Sequence, residues 1–167
     1  MTTALQTDTR EDAGSAAVGV SSHEAARAVQ IEHLLGGAAL VGRLRSDMDV
    51  IGLVRRGVQT RAVRHFAEQH LPDFTVIDRC VLPRRTFRRR EDSGQLLDAV
   101  ESDRLLRLVR LVASAEDVFG GSERALAWLS RPTRALQEQS PISLSDTDHG
   151  ARAVETLLGK IAHGIAA

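Results

Sequence analysis

Six arginines crowd one short stretch of the chain: Arg79, Arg84, Arg85, Arg88, Arg89 and Arg90. A guanidinium grips a phosphate or a guanine edge with two parallel N–H donors, so this residue type in this density points to nucleic-acid phosphates. On a helix opened by Pro83, Arg84 and Arg88 share a face, as do Arg85 and Arg89, while Phe87 points elsewhere and can anchor the helix. Thr86 can reach a phosphate or a thymine methyl. The plainer alternative is a solvated basic face. Neighbouring guanidiniums repel one another, which makes a phosphate partner the simpler explanation.

The other reactive side chains form no comparable set. His65 and His70 stand five apart, off a common helical face, and His23, His33, His149 and His163 are scattered. No HExxH or Cys-rich spacing suggests a metal ligand set. No glycine-rich phosphate loop follows a strand, and no serine-centred signature is present. Cys80 sits in an apolar context that favours packing over reactivity. No metal, cofactor or catalytic residue is expected, and a small helical enzyme is disfavoured. The single Trp, Trp128, lies in RALAWLSRP (124–132) of a chain with no Tyr and four Phe. It suits either a core or a binding hot spot, and spacing leaves both open.

The elements that must hold these residues read as helices. The apolar content of 43% comes almost wholly from Leu, Val, Ile and Ala. Residues 1–22 read as a disordered tail, and residues 23–49 as a helical extension broken at Gly36-Gly37. Two helices meet near Gly57-Val58-Gln59, the second capped by Thr60 and burying Ala62, Val63, Phe66 and Ala67. Phe74 to Cys80 is a short helix candidate, with a strand as alternative. A helix from Pro83 to Ser93-Gly94 completes the outline of a helix-turn-helix. Asp98 and Glu101 form a capping box for a long helix. Its polar residues Asp103, Arg107, Arg110, Ser114 and Asp117 make one narrow stripe, as expected of a hub buried on several sides. Gly120-Gly121 closes it. Asp146 or Thr147 opens a last helix whose apolar stripe is Val154, Leu157, Leu158, Ile161 and Ile165.

The formal charge of zero hides a segregation. Residues 50–111 carry 13 basic and 8 acidic side chains, while residues 1–49 carry 4 and 7 and residues 112–167 carry 5 and 7. All the cations but Lys160 are arginines. The basic middle argues for a nucleic-acid partner where the whole chain does not. No apolar run reaches the roughly 20 residues of a membrane span, no export signal is visible, and a single Cys suits a reducing cytoplasm.

Residues from about 112 onward carry a resemblance. Phe119-Gly120, Trp128-Leu129, Pro132, Pro141, Thr147, Gly150, Val154, Leu157 and Leu158 follow one another as in the toxin-binding domain of the Xre/MbcA/ParS antitoxins. Residues 50–111 resemble that family's Xre-like helix-turn-helix module through Gly57, Arg85-Thr86-Phe87-Arg88-Arg89, Leu96 and the run Glu101 to Arg107. Gly57-Val58-Gln59 stands where the family often has Gly-Leu-Pro.

The resemblance implies an all-α chain: a helix-turn-helix module at 50–111 and a toxin-binding module at 112–167. It implies an antitoxin of a type II pair whose partner is a RES-domain toxin that depletes NAD. It further implies a homodimer that binds the promoter of its own operon. Carried onto this sequence, DNA contacts fall to Arg84, Arg85, Thr86, Arg88, Arg89 and Arg90. Toxin contacts fall to Trp128, Arg131, Pro132, Leu157, Lys160, Ile161, His163, Gly164 and Ile165, with the last helix offering its stripe to the partner. The alternative is a dimeric helix-turn-helix regulator without a toxin.

Overall fold

The computed structural model describes residues 14–164. Nine α-helices and two 3₁₀ turns follow in order among the described residues: α1 (Gly14–Leu34), α2 (Ala38–Val41), α3 (Asp47–Arg56), α4 (Thr60–His70), α5 (Thr75–Cys80), α6 (Arg84–Asp92), α7 (Ala99–Phe119), α8 (Ser122–Ser130), η1 (Arg134–Leu136), η2 (Pro141–Asp146) and α9 (Asp148–Ala162). No strand forms among them; a single antiparallel bridge joins Thr133 to Gln139. No helix among the described residues is long and apolar enough to cross a membrane.

The capping box opens α7 as its sequence implies. Asp98 accepts the Glu101 N–H at 2.8 Å, and Glu101 accepts the Asp98 N–H at 2.9 Å. The helix then packs against α1, α3, α8, α9 and η2. Leu105, Leu108, Val109, Leu111 and Ala115 are completely buried, while Asp103, Arg110 and Asp117 stay exposed. The narrow polar stripe is therefore the wet edge of a hub. Gly120 adopts a left-handed backbone, φ 69° and ψ 31°, and ends the helix.

The joints of the helix-turn-helix half are set by particular residues. Gly57 ends α3 at φ 92°, and a Cβ there would stand 2.3 Å from the Leu97 carbonyl oxygen. Only glycine allows this close approach, which lets Leu97 N–H donate to Val58 O at 2.9 Å and Val58 N–H to the Ser102 hydroxyl at 3.1 Å. Asp78 accepts the otherwise orphaned Arg84 N–H at 2.6 Å, tying the start of α6 to α5.

Several expectations are corrected. The helix expected from His23 begins at Gly14, so residues 14–22 are not a tail; residues 1–13 lie outside the described residues. A proline-free segment rich in Ala and Ser propagates a helix once one end is nucleated by packing, and Ala28, Ile31 and Leu34 supply that anchor. Thr60 does not cap α4; Gln59 holds that position and Thr60 is drawn inside, 7% exposed. Of the two readings of Phe74–Cys80 the helix stands, as α5, with Asp73 taking the Thr75 N–H at 2.7 Å at its start. The polar connection after α8 contains two 3₁₀ turns that sequence periodicity did not reveal.

Candidate functional site

One candidate face is built on α5 and α6. Phe87 is 2% exposed and packs its ring, tilted by 55°, at 4.8 Å from that of Phe74, fixing the roll of α6. That roll leaves Arg84, Arg85, Arg88 and Arg89 exposed. The Arg84 guanidinium lies 5.4 Å above the Phe74 ring, and Arg64 lies 5.6 Å above Phe87. Arg64 also grips Glu91 with two bonds of 2.8 and 2.6 Å, which hold the Glu91 carboxyl below its usual range. The side chains of Arg85, Arg88 and Arg89 make no hydrogen bond or ion pair among the described residues. Thr86 is half-buried.

Arg90 does not belong to this face. Its side chain, 16% exposed, reaches Glu101 at 2.9 Å, Asp98 at 3.2 Å and the Leu96 carbonyl at 3.1 Å. One residue beyond exposed Arg89, its guanidinium is spent on the capping box of α7. The sixth arginine of the cluster is a brace between α6 and the hub.

The second candidate face lies on the C-terminal helices. Trp128 is half-buried, with Phe119 at 5.3 Å. It is thus neither wholly core nor wholly surface. Arg131, Pro132, Lys160, His163 and Gly164 are exposed and Ile161 is half-buried. Ile165 lies outside the described residues. Leu157 is corrected: it is 6% exposed, and Val154 and Leu158 are fully inside. Val154 and Leu158 join the chain's own core, because η2 and α7 both press on α9. Thr147 caps α9 by accepting the Gly150 N–H at 3.1 Å. A Cβ on Gly150 would stand 2.1 Å from the Leu144 carbonyl oxygen, so glycine lets η2 lie flush on the helix start.

Two contacts join these regions and were not legible in the sequence. His70 Nδ1 lies 3.4 Å from Glu116 Oε1, stacked on Phe66 at 5.8 Å and edge-on to His65 at 6.4 Å. Burial pushes the His70 pKa down, against the pull of Glu116. Cys80 is buried, its thiol raised by burial, and it points at the Ile142 carbonyl at 3.9 Å. Among the described residues no group of three His, Cys, Asp or Glu side chains is placed to hold a metal ion. An open groove runs along the wet edge of α7, facing α9. Two of its acids are occupied: Asp148 accepts from Arg152 at 2.8 Å, which holds its carboxyl below the usual range, and Asp117 accepts from Gln30 at 3.0 Å.

Comparison with known proteins follows the same division. Residues 49–110 match the antitoxin Xre-like helix-turn-helix domain, and residues 114–164 match the antitoxin Xre/MbcA/ParS C-terminal toxin-binding domain. The chain is 34% identical over 96 residues to an antitoxin Xre of Yersinia enterocolitica, covering 57% of this chain and 65% of the relative. It is 38% identical over 84 residues to an antitoxin Xre of Pseudomonas putida, covering 50% of this chain and 53% of that one. The match to these two thus spans between about half and two thirds of their length. A Prs ADP-ribosylating antitoxin of Sphingobium sp. is 30% identical over 129 residues, 71% of this chain and 81% of the relative. With both halves matched in order and the Sphingobium relative covered over most of its length, the chain belongs to the Xre/MbcA/ParS family of antitoxins.

Proposed function

We propose that the chain neutralises an NAD-consuming toxin with its C-terminal module and represses its own operon with the helix-turn-helix half. The observation that carries the first part is the half-buried Trp128. Its ring shares the toxin-binding domain with exposed Arg131, Pro132, Lys160, His163 and Gly164. A Trp with one side on a rigid support and the other open, next to an unpaired Arg, has the makeup of a binding hot spot. Lys160, in the last turn of α9, brings a cationic group, and His163 beside it an imidazole, to a cleft that must accept the pyrophosphate of NAD. The toxin is of the RES type, and its cleft is covered by this module.

The relative named as a Prs ADP-ribosylating antitoxin favours a second reading of the partner. In that reading the toxin transfers ADP-ribose from NAD to a protein instead of destroying the NAD pool. Co-expression with the co-encoded toxin separates the possibilities. Growth rescue is expected, with the toxin alone lowering total NAD for a RES enzyme, or labelling a protein with ADP-ribose for the second. A chain that rescues neither growth nor NAD is a regulator without a toxin. Removing residues 160–167 is expected to abolish neutralisation; full rescue by the shortened chain would remove the C-terminal end from the mechanism.

The DNA part rests on Arg84, Arg85, Arg88 and Arg89 standing exposed on one short helix held by Phe87. A dimer suits it. The largest exposed apolar side chains include Met48 on α3 (68%) and Val100 at the start of α7 (61%), two helices that pack on each other. A second copy closing over them would present two basic helices to a palindromic site.

A further inference from the structure

We infer that the turn at residues 131–139 is the element that selects which toxin this chain accepts; the inference rests on the antitoxin reading above. The turn is built as a fixed platform. Thr133 N–H donates to Gln139 O at 3.1 Å, Glu138 N–H to Thr133 O at 3.1 Å, and Gln139 N–H to Leu136 O at 3.2 Å. Leu136 pins it to the core, and η1 touches α9. It follows Trp128 directly, since the Arg131 N–H donates to the Trp128 carbonyl at 3.2 Å.

At its tip, Gln137 and Glu138 both hold left-handed backbone, φ 57° and φ 59°. They are the only non-glycine residues to do so among the described residues. Both are exposed, so glycine could take either place with no loss of packing. The chain instead carries an amide and a carboxylate there. The side chains of Arg131, Arg134, Gln137 and Glu138 make no hydrogen bond or ion pair among the described residues. Four long polar side chains thus stand unpartnered on a backbone that is already fixed. That combination lowers the ordering cost of binding and makes charge pattern the criterion of acceptance. Strained, over-determined backbone is where ligand contacts concentrate. The complementary patch on the toxin is mixed: acidic opposite Arg131 and Arg134, basic or amide-bearing opposite Glu138. The hydrophobic anchor at Trp128 supplies affinity, and the turn supplies discrimination.

The test uses the full chain and a catalytically inactive form of the co-encoded toxin, immobilised for kinetic binding. Exchanging the charges, Arg134→Glu with Glu138→Arg, is expected to speed dissociation about tenfold with an unchanged melting temperature. Unchanged dissociation overturns the inference. Should the exchanged chain melt early, truncating the same exposed side chains, Arg134→Ala with Glu138→Ala, carries the same expectation and the same refutation. Absence of binding by the unaltered chain overturns the antitoxin reading itself, and the role of the turn with it.

Discussion

At the scale of the residue, most of what fixes this molecule is close approach rather than chemistry. Gly150 and Gly57 are needed because a carbonyl oxygen occupies the space a Cβ would take. Gly150→Ala is expected to destabilise the chain by about 2–3 kcal/mol, an overpacking cost, read as a lower denaturation midpoint with an unchanged slope. His70 gives a pH signature. Its folded pKa is pushed below the ordinary 6.5, so the native state binds the proton less readily than the unfolded chain. The stability it contributes is complete above about pH 6.5 and drains away as pH falls through its lowered folded value. Denaturation midpoints measured from pH 7.5 to 5 should decline, and His70→Gln should flatten that decline. A flat profile in the unaltered chain would mean His70 is open to water and titrates normally.

At the scale of the element, the division of labour within α6 decides how DNA binding would be dissected. Arg85 and Arg89 share an exposed face, whereas Arg90 supports the start of α7. Arg85→Ala with Arg89→Ala is expected to flatten the dependence of log K on log salt by about 1.8, roughly 0.9 for each lost phosphate contact, without changing stability. Arg90→Ala should instead lower the melting temperature, because Glu101 would be left buried beside an absent cation. The elements were largely legible in the sequence. The Asp98 capping box, the hub stripe of α7, the break at Gly57 and the Phe87 anchor all stand as local patterning implied. Local patterning could not show what depends on distant chain. Arg90 looked like one more surface cation because its partners lie 8 and 11 residues on. Val154 and Leu158 of α9 looked unpartnered because periodicity marks an apolar face without saying what covers it, and the cover is α7 together with η2, a turn with no periodic signal. His70 and Glu116 are likewise joined only by the fold.

At the scale of the whole molecule, the exposed apolar residues of α3 and α7 carry the prediction of self-association. Met48→Asp with Val100→Asp is expected to convert a dimer to a monomer in light scattering and to weaken operator binding by more than tenfold, while the isolated chain keeps its helical content. A dimer unaffected by both changes would place the contact elsewhere. The hub has a further consequence for anyone wishing to take the molecule apart. The two matched domains end and begin at residues 110 and 114, and both positions fall inside the single helix α7. A gene cut there would yield two fragments, each with half a rod and a raw greasy side, and both should aggregate. The two proposed activities are best separated by point changes on α6 and on the C-terminal turn, since no scissors can divide the halves cleanly.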